Sequence, residues 1–135
     1  VYKRQEQGLP FYSGRICYEI TPPTPSPGER VHLSVRDFEG ACVVVRRGER
    51  KARLIGWQPY ETDITELLDG SEPLTVEVVL TRRNTFGPLH QVPKICPGYG
   101  PENWITSGSA FSEEYQLIES GLLGALVLSY RRPTD

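Results

Sequence analysis

Leu74-Thr75-Val76-Glu77-Val78-Val79-Leu80-Thr81 is the stretch that decides the fold class of this chain. Leu74, Val76, Val78 and Leu80 recur at every second position. A strand sends successive side chains to opposite faces, so these four share one buried face. Valine and threonine, branched at Cβ, also suit a pleated surface better than a helix.

Working outward, the same period returns on both sides. Upstream, RVHLSVR (30–36) turns Val31, Leu33 and Val35 inward, and FYSGRICYEI (11–20) sets Ile16, Tyr18 and Ile20 opposite Arg15, Cys17 and Glu19. ACVVVRR (41–47) and ARLIGW (52–57) read as a hairpin turning at Gly48 and Glu49. TDITELL (62–68) breaks the alternation: Asp63 followed by Glu66 resembles a capping box and predicts a short helical turn, and DGSEP (69–73) reads as a turn. Downstream, YQLI (115–118), a GLLG turn (121–124) and ALVLSYR (125–131) supply the closing strands. TPPTPSPG (21–28) has four prolines in eight residues and is a surface connection, because proline cannot join a central ladder. About eight short strands with one or two helical turns predict an antiparallel β-sandwich of the jelly-roll type. Residues 84–114 stand apart as a long irregular segment, and such segments often carry function.

The chain of 135 residues fits one domain, with 24% charged and 38% hydrophobic residues, as expected of a globular protein. The net charge of −2 gives no general pull toward nucleic acid or anionic lipid. The longest apolar-leaning run, residues 121–129, is far short of the ~20 residues that span a bilayer. Neither nucleic acid nor membrane is therefore an expected partner. Cys17, Cys42 and Cys96 form no metal-type spacing and read as free thiols, with one disulfide left open and a lean toward a reducing compartment. A first residue of Val1 and a complete lack of methionine suggest a segment of a larger multidomain protein.

One ordered pattern goes beyond periodicity. Gly40-Ala41, Val43, Val45 and Gly48 are followed by Pro59-Tyr60, Asp63-Ile64-Thr65, Leu67-Leu68, Gly70, Leu74, Val76 and Val78. Asn84-Thr85-Phe86-Gly87-Pro88-Leu89-His90 and Gly121-Leu122-Leu123-Gly124 come later. Across roughly residues 9–131 this resembles the galactose-binding-like jelly roll that accompanies many glycoside hydrolases, including the sugar-binding domain of family 2 enzymes. Arg47 and Glu72 depart from the family's asparagines at those places. The resemblance implies an accessory domain beside a separate catalytic domain, and the matching positions are mostly structural.

A glycosidase needs two carboxylates across a cleft, ~5–9.5 Å apart. Glu113 and Glu114 are adjacent and point apart in a strand, and Asp37 and Glu39 end a strand as solvated charges. His32 is expected to be exposed on the outer face of its strand, and His90 to make a structural hydrogen bond. No phosphate loop, metal-ligand motif or cofactor motif occurs, so no catalytic residue, cofactor or metal is expected. The basic run Arg46, Arg47, Arg50, Lys51 and Arg53 reads as charges guarding a sheet edge.

Sugar binding needs aromatic faces and planar polar groups. Trp57, Tyr60, Asn84, His90, Tyr99 and Trp104 sit in loops or at strand ends, where one rim of a jelly roll can gather them. The same aromatics can instead pack on the sandwich or face a catalytic domain. Two expectations follow: a carbohydrate-binding accessory domain that takes oligosaccharide, or a structural module that packs on the parent protein's catalytic domain.

Overall fold

The computed structural model describes residues 2–3, 8–49, 52–69 and 72–132. Arg50, Lys51 and Gly70, singled out above, lie outside them. Among the described residues ten strands run in order: β1 (Tyr2–Lys3), β2 (Arg15–Ile20), β3 (Arg30–Val35), β4 (Phe38–Glu39), β5 (Cys42–Arg46), β6 (Arg53–Ile55), β7 (Glu61–Asp63), β8 (Leu74–Val79), β9 (Gly121–Leu122) and β10 (Leu126–Arg131). The chain is all-β and antiparallel, with a four-stranded sheet β2-β8-β5-β6, a three-stranded sheet β10-β3-β7 and a small sheet β1-β9-β4.

Alternation decides the registers. Val43 pairs with Val78 and Val45 with Val76, so the inward residues of β5 and β8 lie side by side. Across the other sheet Leu33 pairs with Leu128 and Val35 with Leu126. Val31, Leu33, Val35, Val43, Val45, Ile55, Leu74, Val76 and Val78 are all buried in one cluster, which is how the apolar faces of two sheets make a sandwich. Ile64 and Leu67 of the connecting turn and Leu122 of β9 close this core.

Gly40 shows why a small residue precedes β5. A Cβ there would stand 2.7 Å from the Val79 carbonyl oxygen, to which the next residue, Ala41, donates its N–H at 2.7 Å. Any side chain would push β5 off β8 at the start of their ladder.

Several expectations change in detail. Residues 115–118 form no strand; their hydrogen bonds go to the long loop instead. The expected GLLG turn is split: Gly121 and Leu122 form β9 between β1 and β4, while Leu123 and Gly124 both donate N–H to the Asp37 carbonyl. The capping box does not form. Asp63 ends β7 and accepts the Thr65 N–H at 2.9 Å, but Glu66 pairs with Arg53 at 2.8 Å rather than returning to the turn. The 3₁₀ turn Thr65–Leu67 is thus held by an aspartate two residues back.

The basic run is absorbed internally among its described members. Arg46 reaches Glu77 at 3.2 Å, Arg53 reaches Glu66, and Arg47 is buried and donates to the Leu68 carbonyl at 3.1 Å. Cys17 is exposed, and all three cysteines are free. No described helix is long and apolar enough to cross a membrane.

Candidate functional site

Between β8 and β9 the chain makes a layer ordered by side-chain hydrogen bonds and one isolated antiparallel bridge, Gln91 with Phe111, rather than by long strands. A single helical turn, α1 (Arg83–Phe86), opens it. Asn84, buried to 1% exposure, donates Nδ2–H to the Ile118 carbonyl at 2.7 Å and accepts the Ile118 N–H at 2.9 Å. One amide therefore pairs with both backbone groups of a residue 34 positions away, as a strand would.

Further in, His90 Nδ1 lies 2.8 Å from the Ser112 carbonyl oxygen, which can only accept, so that nitrogen is the donor. The His90 ring stacks on Phe111 with centroids 5.6 Å apart, and the Ser112 N–H returns to the His90 carbonyl. Asn103 accepts the Gly100 N–H and donates to Gln91 Oε1, fixing the 3₁₀ turn Pro101–Asn103.

Arg83 organises the outer part of this layer. Its Nη2–H donates to the Lys94 carbonyl at 2.6 Å, its Nε–H to the Tyr99 hydroxyl at 3.3 Å, and its guanidinium carbon sits 5.3 Å from the Tyr99 ring centre. Gly87 makes room for that side chain: a Cβ there would lie 2.4 Å from the Arg83 carbonyl oxygen and 2.8 Å from its Cδ. Arg83 Nη1 is buried with no hydrogen-bond partner.

Next to Arg83 opens a pocket of about 700 Å³. One wall comes from the long loop: Arg83, Lys94, Ile95, Cys96 and Tyr99. The rest of the lining comes from the small sheet and its approaches: Glu39, Thr81, Ile118, Glu119 and Leu123. Cations and the aromatic ring stand on the loop wall, while carboxylates and most of the aliphatic groups belong to the rest. Tyr99 is about half exposed, and Ile95 more so.

Of the six residues expected at a rim, Tyr99 alone lines this pocket. Asn84 and His90 belong to the same layer but serve its backbone. Trp104 follows the Pro101–Asn103 turn and is 52% exposed. Trp57, 72% exposed, and Tyr60 lie at the β6–β7 connection, and no hydrogen bond or ring contact joins them to the other four. Tyr60 is half-buried, packs edge-on against Phe38 with centroids 5.3 Å apart, and accepts the Val35 N–H through its carbonyl. It holds a positive φ of 30°, a conformation that costs a non-glycine residue free energy, and the surrounding packing keeps it there.

The sequence reading missed Arg83, Lys94, Thr81 and Glu119 as pocket residues; Glu39, read as a solvated charge, is exposed and also lines the pocket. Their irregular spacing gives no periodic signal, and the long aperiodic segment was the available pointer.

A second polar cluster lies on the outer face of β10-β3-β7. His32 is not simply exposed: Nδ1 is 3.3 Å from Glu61 Oε1 and Nε2 is 4.0 Å from Asp63 Oδ2. The Ser34 hydroxyl donates to Glu61 at 2.8 Å and Arg131 reaches it at 2.7 Å, while Arg30 reaches Asp63 at 3.1 Å. The Ser34 hydrogen bond, with Arg131, holds the Glu61 carboxyl below its ordinary range despite burial. Partial burial pushes the Asp63 carboxyl up, but the Thr65 hydroxyl and amide outweigh it, helped by Arg30, and the net direction is down. Ser34 faces Glu61 rather than His32, so this is not the nucleophile–base geometry of a hydrolase triad. No group of three or more His, Cys, Asp or Glu among the described residues is suited to hold a metal ion.

Glu77 is a third feature that alternation hides. It lies on the outer face of β8 yet is 1% exposed, covered by Arg15 at 2.8 Å and Arg46 at 3.2 Å. Compared with known proteins, the chain matches no family model, no curated protein sequence and no solved structure.

Proposed function

We propose that this chain is a non-catalytic accessory domain of a glycoside hydrolase, a galactose-binding-like jelly roll that binds carbohydrate through the loop-and-sheet pocket. The observation that carries this reading is the half-exposed Tyr99 ring among planar and hydroxyl groups in a pocket of about 700 Å³. A sugar ring stacks its C–H face on an aromatic surface and uses its hydroxyls on fixed polar groups. Pockets of roughly 300–1,000 Å³ are the usual size for small-ligand sites. The antiparallel all-β architecture and the ordered motif running from Gly40 to His90 are consistent with that family of folds.

A second reading, a structural module docked on a catalytic domain, draws on a different surface. Phe11 meets Tyr115 edge-on with centroids 5.0 Å apart, and Thr85 bonds the Phe11 carbonyl. Phe11, Tyr115 and Phe86 are all exposed, as is Leu9 just upstream. Apolar surface of this kind is often covered by a partner.

A glycan-array screen of the chain, followed by calorimetric titration of the hits, separates the two. The carbohydrate reading expects a hit whose affinity falls about tenfold or more in Tyr99→Ala, comparable to the loss of one aromatic stacking contact at a ligand site. An array without hits rejects it and leaves the docking reading.

A further inference from the structure

We propose that the pocket between the long loop and the small sheet takes an acidic sugar, a hexuronate unit whose carboxylate sits against Arg83 and Lys94. The inference rests on the carbohydrate reading of the same pocket and adds the chemical class of the ligand. Its basis is a charge left uncompensated in a fixed position. Every partner of the Arg83 side chain is neutral: the Tyr99 hydroxyl and ring and the Lys94 carbonyl. Many described arginines find carboxylates: Arg15 and Arg46 hold Glu77, Arg30 holds Asp63, Arg53 holds Glu66, Arg131 holds Glu61 and Arg132 holds Glu29. Arg83 pairs with no carboxylate although Glu39 and Glu119 line the same pocket.

The guanidinium is also pre-positioned. Two hydrogen bonds, the ring contact and the space left by Gly87 fix its plane, so little side-chain entropy is lost when an anion arrives. The Lys94 backbone is tied to Arg83, which brings a second cation to the same wall, and Lys94 pairs with no described carboxylate.

The carboxylates in the same lining sharpen the ligand class. A bare anion gains from Arg83 and Lys94 but meets the carboxylates of Glu39 and Glu119 in the same lining. A neutral sugar gives hydroxyl donors to those carboxylates but leaves the cations unmatched. A sugar with one carboxylate and several hydroxyls satisfies both, its C–H face against Tyr99.

Matched pairs test this: glucuronate against glucose and galacturonate against galactose, titrated into the chain by saturation-transfer NMR and calorimetry, with acetate and sulfate as bare anions. The expected result is at least one acid that binds about tenfold or more tighter than its neutral partner, since only the acid can form a charge-assisted hydrogen bond between carboxylate and guanidinium. Raising NaCl from about 50 to about 500 mM should shrink that preference, because the Debye length falls severalfold. Lys94→Gln, whose side chain has no described partner, should lose most of the preference with an unchanged melting temperature; Arg83→Gln should lose it as well.

Equal binding of acid and neutral sugar overturns the inference while leaving the carbohydrate reading intact. Acetate or sulfate binding as tightly as the uronate overturns it in favour of a simple anion site. No uronate binding overturns it outright, and an array without any glycan hit removes the underlying reading too. A preference retained in Lys94→Gln places the carboxylate elsewhere and also refutes it.

Discussion

The sandwich and the loop layer of this molecule are held by different physics. In the sheets, β3, β5 and β8 bury aliphatic side chains at every second position against one another, and the order comes from removing apolar surface from water. Between residues 83 and 118 few side chains are buried, and order comes from side chains that pair with distant backbone: Asn84 with Ile118, His90 with Ser112, Arg83 with Lys94. The first arrangement tolerates little change and offers few groups to a ligand. The second leaves Tyr99, Lys94 and Trp104 facing outward on a layer pinned at a few points.

The contrast breaks most visibly in the core. Leu33→Ala, at 0% exposure, should cost about 2–5 kcal/mol and lower the denaturation midpoint of the whole domain. Asn84→Ala should cost about 1–3 kcal/mol, because it removes the two hydrogen bonds that this buried amide makes to the Ile118 backbone. Its signature should be local. Hydrogen exchange should quicken at the Ile118 and Ser112 amides, while the amides of Val43 and Val78 keep their protection. Equal loss in both regions would mean that the layer and the sandwich unfold as one unit.

How much of this was legible in the sequence follows from the same division. Leu74, Val76 and Val78 and their counterparts in β3 and β5 announced themselves, because a two-residue period is a direct consequence of strand geometry. Residues 115–118 misled for a related reason: a short apolar run fits a strand, but here Asn84 and Leu89 take its backbone hydrogen bonds. The pocket was legible only as a long aperiodic stretch. Which of its residues meet depends on Asn84 and Arg83 reaching across tens of positions, and no local pattern encodes that. Tyr99 was found because an aromatic in a polar loop stands out; Lys94 and Glu39 look like any surface charge.

The outer face of β10-β3-β7 offers a smaller test. Asp63→Ala should destabilise the domain by about 0.5–2 kcal/mol, since the Asp63 carboxylate accepts the Thr65 N–H at the start of the turn. Glu61 and Asp63 are both held below their ordinary carboxyl range in the folded chain. Their contribution is therefore complete above the unfolded values near pH 4 and is lost as the pH falls through the folded ones. Acid denaturation of the Glu61→Gln, Asp63→Asn double variant should show a shallower fall in stability below about pH 4 than the parent chain. A parallel curve would contradict this account of the cluster.

The smallest expected effects concern the two tryptophans. Both are mostly exposed, so Trp57→Ala and Trp104→Ala should each change stability by no more than about 0.5 kcal/mol, read from denaturant midpoints. A cost of several kcal/mol at Trp104 would show that it anchors the layer rather than decorating it.

The central claim, the proposal that glycan binds at the loop layer, is tested most directly by mapping backbone amide shifts while a glycan hit is titrated into the labelled chain. The account predicts saturable shifts at residues 81–99 and 118–123 and at Glu39, with the amides of β2, β3 and β10 unmoved, and loss of those shifts in Tyr99→Ala. Shifts confined to the sheet faces, or unchanged by Tyr99→Ala, would contradict it.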